Sequence, residues 1–148
     1  MQNPSTTLRA RKVLVFGTFD GLHEGHKELF RQASKFGEHV IAVVARDSTV
    51  MKNKARQPKF SEQERLDAVR NSGLVQEALL GEENHNTKES KFELIAQIKP
   101  DVICLGYDQA QFAEKLGSEL NRMGFENIKI EILKPFKPEI YKSSILNK

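Results

Sequence analysis

Short apolar runs alternate along the chain with segments that carry an apolar stripe at helical spacing. The runs that predict strands cover residues 12–16, 38–45, 74–80, 101–106 and 126–132. The segments that predict helices cover residues 24–36, 61–72, 88–98 and 110–123. Residues 46–60 are polar and basic, and they are predicted to form a loop or a frayed turn. Within the run at 38–45, residues 40–45 are apolar throughout, which indicates a strand that is buried on both faces.

This order predicts an α/β fold, a doubly wound three-layer α/β/α arrangement around a five-stranded, mostly parallel sheet. Parallel neighbours need a long crossover, and the predicted helices supply one between successive strands. Strands one and four are expected to flank the crevice outside the carboxyl ends of the strands, where such folds bind ligands. Residues 1–11 are expected to be a flexible lead, and residues 12–148 a single domain of ordinary size.

The helices are expected to turn one apolar face toward this sheet. Ser61 and Glu64 form a capping-box pattern that predicts the start of the second helix. The inward positions are expected to be Leu29, Phe30 and Ala33 in the first helix, Leu66, Val69 and Arg70 in the second, Phe92, Ile95 and Ile98 in the third, and Phe112, Leu116 and Leu120 in the fourth.

Composition narrows the class of protein. Acidic and basic residues are interspersed, and the net charge is only +3, so nucleic-acid binding has little support. Cys104 is the single cysteine, which excludes an intrachain disulfide and favours a reducing, cytoplasmic setting. No apolar stretch reaches the length of a membrane span, so no membrane partner is expected.

The first strand leads into the segment with the most specific chemistry. Gly17 and Gly21 allow a tight turn, and the helix that follows should direct its unpaired amide groups over the edge of the sheet. The start of a helix favours negative charge, and His23 and His26 would share the face that looks onto it. These residues predict a site that handles phosphate. Asp20 could bind a metal or cap the turn, and both interpretations stay open.

Residues 17–20, GTFD, followed by residues 23–26, HEGH, resemble the signature of the small nucleotidyltransferases. That cytidylyltransferase-like family includes archaeal-type FAD synthase and glycerol-3-phosphate cytidylyltransferase. The resemblance implies a Rossmann-like fold of the HUP type and catalytic roles for His23 and His26, which also contact the nucleotide. It places Gly17, Thr18 and Phe19 in the nucleotide site, although the side chain of Phe19 is expected to pack.

Three further segments carry weaker resemblances to the same family. Lys52 and Lys54 follow the second strand, and the resemblance implies a catalytic role for Lys52 and a nucleotide contact for Lys54; the alternative is a solvated basic loop. Residues 105–109, LGYDQ, resemble a segment of the FAD synthases in which Asp108 would address the nucleotide, and a helix cap is the alternative. Ser143 and Ser144 resemble the closing serine motif that contacts the triphosphate, although no Arg-Thr pair precedes them.

The resemblance implies transfer of a nucleotidyl group from ATP or CTP, with Mg²⁺, to the phosphate of a small acceptor. FMN is the favoured acceptor, and glycerol 3-phosphate with CTP is the alternative. A non-catalytic nucleotide-binding module is the alternative from another class. A zinc peptidase is excluded because His23 and His26 are three residues apart rather than four, and no protein ligand is assigned to a metal. A homodimer is left open.

Overall fold

The computed structural model describes residues 11–54, 57–81 and 89–134. Its strands are β1 (Lys12–Gly17), β2 (His39–Val44), β3 (Glu77–Leu80), β4 (Val102–Leu105) and β5 (Lys129–Ile132). Its helices are α1 (Glu24–Ala33), α2 (Asp47–Lys54), α3 (Glu62–Asn71), α4 (Glu89–Ile98) and α5 (Ala113–Arg122), and a 3-10 helix (Tyr107–Phe112) precedes α5. Ser143, Ser144 and the rest of the closing segment lie outside the described residues.

The five strands form one parallel sheet in the order β3-β2-β1-β4-β5. The predicted fold class is therefore confirmed, and β3 and β5 lie at the edges of the sheet. β1 pairs with β2 on one side and with β4 on the other. The order reverses between β1 and β4, so the predicted crevice lies at the carboxyl end of β1.

Two apolar clusters cover the two faces of the sheet. On one face, Phe30 of α1 and Leu66 of α3 pack against side chains such as Val15. On the other, Ile95 of α4 and Leu120 of α5 pack against Leu14 and its neighbours. Successive residues of β1 thus contribute to opposite faces, which gives the three predicted layers. Within the described ranges, no helix is long and apolar enough to cross a membrane.

The prediction of a loop over residues 46–60 is wrong for its first half, which forms α2. This helix has no apolar stripe, and Val50 is its buried apolar residue. Tertiary contacts support it instead. The Asp47 amide donates to Glu62 Oε1 at 2.8 Å, and the Glu62 amide donates to Asp47 Oδ2 at 3.3 Å, so each helix start supplies an acceptor to the other.

Two inward assignments differ from the structure, and a third, Phe92, stays a prediction. Arg70 is exposed, and Arg65 is the buried arginine of α3, at 1% of its reference area. Phe112 is 54% exposed because the residues before α5 form a 3-10 helix, which advances at three residues per turn and moves Phe112 off the stripe of Leu116 and Leu120. The side chain of Phe92 lies outside what the structure describes, whereas Ile95 is buried as predicted.

Gly17 is required by the ring of Phe19. A Cβ atom at Gly17 would lie 2.6 Å from Cζ of Phe19, which is buried and cannot move aside. We expect Gly17→Ala to lower the free energy of unfolding by about 1–3 kcal/mol, as overpacked core substitutions do.

Gly117→Ala is the matched control, because its added Cβ would meet Ile130 Cδ1 at an ordinary 3.7 Å. Within a helix this change should raise stability by about 0.5–1 kcal/mol. Urea unfolding of both variants checks the prediction, and equal effects would refute the close-approach argument.

Candidate active site

The site residues of the histidine motif lie at the carboxyl end of β1, in the centre of the sheet. The Ala45 amide donates to Gly17 O at 2.9 Å, so the chain leaving β2 is held beside the end of β1. On the other side, Gln109 Nε2 donates to Phe16 O at 3.4 Å and links the 3-10 helix after β4 to the same strand. Segments that follow three strands therefore meet at one edge of the sheet.

His23 and His26 form a reciprocal cap at the start of α1. Gly25 N–H donates to His23 Nδ1 at 3.0 Å, and His23 N–H donates to His26 Nδ1 at 3.3 Å. The two rings are stacked, with centroids 3.9 Å apart and planes 21° from parallel. Backbone amides that would otherwise lack partners at a helix start are thereby satisfied by the imidazoles.

These hydrogen bonds select one tautomer for both rings. Each Nδ1 accepts a hydrogen bond from an amide and so carries no proton, which leaves the proton of the neutral imidazole on Nε2. Both histidines can therefore present an Nε2–H donor to a phosphate oxygen. Protonating Nδ1 of either ring would turn the acceptor into a donor and break the cap.

Burial favours this neutral form at His23. Desolvation lowers the pKa of His23 below its ordinary value of 6.5, and the nearby Glu24 carboxylate opposes the shift with a smaller effect. The lowered pKa thus favours an uncharged imidazole at His23 near neutral pH.

Phe19 packs against the ring of His26 from the side of the apolar core. Its residue has a positive φ of 54°, and this backbone conformation turns the ring into the core beneath Gly17. The ring meets that of His26 edge-on at a centroid distance of 5.5 Å and also packs on Phe30. The expectation that the side chain of Phe19 packs is confirmed, so only its backbone could reach a nucleotide.

The carboxylate of Asp20 accepts hydrogen bonds from a segment that is distant in the sequence. It accepts the amides of Lys59 at 2.8 Å and Phe60 at 3.0 Å. These contacts hold the segment before α3 against the histidine loop. Within the described ranges, no group of three or more His, Cys, Asp or Glu residues could hold a metal ion.

Arg65 is the residue of this region that sequence reasoning missed. Its guanidinium donates from Nη1 to Thr18 O at 2.9 Å and to Ala45 O at 2.7 Å, from Nε to Phe60 O at 3.0 Å, and from Nη2 to Asp47 Oδ1 at 2.6 Å. The spacing of residues along the helix predicted over 61–72 does indicate that Arg65 is buried. Arg65 precedes Val69 by four residues, so it shares the inward face on which Val69 was placed.

The remaining predicted residues are placed only in part. Lys52 and Lys54 lie on α2, whose backbone is described although these side chains are not. Asp108 lies in the 3-10 helix, and its side chain is likewise outside the description. Gln109 holds this turn by accepting the Gly106 amide at 3.0 Å while it bonds to β1.

Cys104 offers no nucleophile to the site. It is buried in β4, and burial, together with the Glu131 carboxylate, raises the pKa of its thiol to about 12. The thiol therefore stays protonated at neutral pH.

A central parallel strand that ends in a glycine turn and a histidine-capped helix is the arrangement of a nucleotide-binding α/β protein. Comparison with known proteins makes the class specific. The chain belongs to the cytidylyltransferase-like family, whose model matches residues 14–147. It is a nucleotidyltransferase enzyme, as the histidine motif predicted.

Two relatives and one solved structure illustrate the similarity. The chain is 42% identical to the FAD synthase of Methanosarcina barkeri over 113 residues, and this aligned region covers 76% of each chain. It is 34% identical to the FAD synthase of Thermoplasma volcanium over 137 residues, a region that covers 93% of this chain and 92% of the relative. The crystal structure of a lipopolysaccharide core biosynthesis protein from Thermoplasma volcanium superposes with a TM-score of 0.78 at 33% identity, covering 87% of this chain and all of that one.

The lowered pKa of His23 predicts a stability that depends on pH. Because the folded state resists protonation, the unfolded state takes up the proton first as pH falls through 6.5. The contribution is complete above 6.5 and is lost as pH falls below it. Urea unfolding from about pH 7.5 to about pH 5.5 should show this loss, in a window where carboxylates contribute little.

His23→Asn is the control for this measurement. An asparagine oxygen can accept the Gly25 amide as Nδ1 does, and asparagine is a good N-cap, so the variant should fold within about 0.5 kcal/mol of the parent at neutral pH. It has no imidazole to protonate. The decline of its stability across the same pH range should therefore be smaller than that of the parent, and an equal or steeper decline would contradict the assignment.

Proposed function

We propose that this enzyme is an FMN adenylyltransferase, which transfers the adenylyl group of ATP to the phosphate of FMN and releases pyrophosphate. The observation that carries the proposal is the reciprocal cap of His23 and His26, which fixes two imidazole Nε2–H donors at the start of a helix. The choice of substrates is supported by the relatives, which are FAD synthases that cover most of this chain.

The reaction needs no covalent intermediate on the protein. A phosphate oxygen of FMN attacks the α-phosphorus of ATP and forms the new P–O bond. The bond from this phosphorus to the oxygen that bridges it to the β-phosphorus breaks, and its electron pair leaves with pyrophosphate. The work of the protein is to hold the two substrates in line and to stabilise the charge that develops.

His23 and His26 supply that stabilisation in the proposed mechanism. Their Nε2–H groups donate to oxygens of the phosphate under attack, where negative charge increases in the transition state. The start of α1 adds the favourable end of the helix dipole at the same place. Because the Nδ1 atoms are held by the backbone, the rings do not have to reorganise when charge develops.

The other predicted residues complete the nucleotide site in this proposal. Lys52 assists catalysis at the phosphates, and Lys54 contacts the triphosphate from α2. Thr18 and Asp108 contact the nucleotide from the turns after β1 and β4. Ser143 and Ser144 close on the triphosphate. The position of α2 at the carboxyl end of β2 supports this role, because that is the edge at which the histidines lie.

A divalent metal, for which we propose Mg²⁺, would enter with the triphosphate. Mg²⁺ is commonly held by substrate phosphates and water with only one or two carboxylates. The described residues, among which no group of three or more possible ligands lies together, are compatible with such a site. When bound, the ion neutralises charge on the triphosphate. The carboxylate of Asp20 is already used by two backbone amides and is not assigned to it.

A panel of substrates tests the function directly. Pyrophosphate release is measured with ATP or CTP, each combined with FMN or glycerol 3-phosphate, and FAD is followed by its absorbance after separation. We expect turnover with ATP and FMN. Turnover restricted to CTP and glycerol 3-phosphate would select the alternative acceptor, and tight binding without pyrophosphate release would indicate a non-catalytic module.

The same assay isolates the role of the imidazoles. His23→Asn keeps the helix cap but removes the Nε2–H donor, so turnover should fall about 10²–10³-fold, the loss seen when one charge-stabilising donor is removed. His26→Asn is expected to behave in the same way. Circular dichroism confirms that each variant is folded, and unchanged turnover in folded variants would refute the mechanism.

The two lysines of α2 make a separate prediction. Lys54→Ala should weaken ATP binding and raise KM for ATP, because a contact to the triphosphate is lost in both ground and transition states. Lys52→Ala should also lower kcat. Lys35→Ala is the matched control, since Lys35 is exposed beyond the end of α1, at the opposite edge of the sheet. If Lys52→Ala and Lys54→Ala match the parent as the control does, these two lysines of α2 make no contact with substrate.

A further inference from the structure

Among the described residues, Arg65 is the most completely buried charged residue, at 1% of its reference area. A buried charge is costly unless it is paired and fully hydrogen-bonded. Arg65 meets both conditions with the four partners given above, which we call the Arg65 bracket: the carbonyl oxygens of Thr18, Ala45 and Phe60 and the carboxylate of Asp47.

Each partner of the bracket belongs to a different part of the active-site edge. Thr18 lies in the histidine loop, and Ala45 follows β2. Phe60 lies in the segment that Asp20 holds, and Asp47 begins α2. The guanidinium therefore joins the loop that carries the histidines to the start of the helix that carries Lys52 and Lys54.

The bracket is reinforced from its α2 side. Glu62 accepts the Asp47 amide at 2.8 Å and pairs with Arg46 at 3.4 Å, and Arg46 Nε donates to Gly81 O at 2.7 Å. The start of α2 is thus tied both to α3 and to the end of β3. Val50 is the buried apolar residue among the described side chains of this helix, and these polar contacts also hold its start in position.

We propose that Arg65 is a positioning residue for nucleotidyl transfer, which fixes the distance between the histidine loop and helix α2. This inference rests on the proposed function, because it assigns Arg65 to the site that the histidines and lysines form. The guanidinium touches no substrate. It acts by holding both sets of groups in register with the phosphate under attack, where a shift of about 1 Å can cost on the order of 100-fold in rate.

Arg65→Lys tests the proposal because it keeps the positive charge and removes the planar guanidinium with its several N–H donors. A lysine ammonium presents its donors from one nitrogen and cannot reach four acceptors that surround a planar group. We expect kcat to fall at least about 10-fold, measured at a temperature at which circular dichroism shows the variant to be folded. The control is Arg70→Lys on the same helix, an exposed arginine whose Nε donates to Ala78 O at the β3 edge, and its kcat should match the parent.

A role in stability alone predicts a different result. In that case lysine would restore turnover once the protein is folded, because the charge opposite Asp47 is retained. A folded Arg65→Lys variant with kcat within about twofold of the parent would therefore overturn the proposal. His23→Asn is measured beside it, so that a loss with His23→Asn and none with Arg65→Lys removes this inference and leaves the proposed function intact.

Asp47→Ala decides the question if Arg65→Lys does not fold. It removes the acceptor of the bracket that lies on α2 and leaves the three carbonyl acceptors of Arg65 in place. Loosening only the α2 side of the bracket should raise KM for ATP several-fold with a smaller change in kcat. An unchanged KM for ATP in the folded variant would overturn the proposal.

Discussion

The structure depends most on how it satisfies the backbone groups at the carboxyl edge of the sheet. Parallel strands end there and helices begin there. This edge therefore carries backbone carbonyls and amides that have no hydrogen-bond partner within a strand or a helix. Side chains of the site supply the missing partners. His23 and His26 cap α1, Asp20 accepts two amides of the segment before α3, and Arg65 donates to three carbonyls.

In the proposed mechanism, this use of side chains prepares the histidines for catalysis. A neutral imidazole that accepts an amide hydrogen through Nδ1 carries its proton on Nε2. The contact that caps the helix therefore also leaves an N–H group that can donate a hydrogen bond to a phosphate oxygen. Phe19 then fixes the ring of His26 from the core side, which requires Gly17 to have no side chain. A site assembled in this way pays its conformational cost during folding and not during the reaction.

The similarity to FAD synthases and the geometry answer different questions. In the proposed mechanism, the geometry of the two histidines accounts for how a phosphorus centre is stabilised without a protein nucleophile. It does not select a base or an acceptor. The proposal takes those choices from the relatives, whose similarity covers 76% and 93% of this chain.

The order of strands and helices, the parallel sheet and the place of the histidine motif follow from the sequence, because they depend on local periodicity and on short motifs. The capping box at Ser61 and Glu64 is local in the same sense. Contacts between distant segments decided the rest. Helix α2 lacks an apolar stripe and forms through Asp47 and its partners, and Arg65 is buried because four acceptors from separate segments converge on it. Such convergence is a property of three-dimensional packing, and no local pattern encodes it.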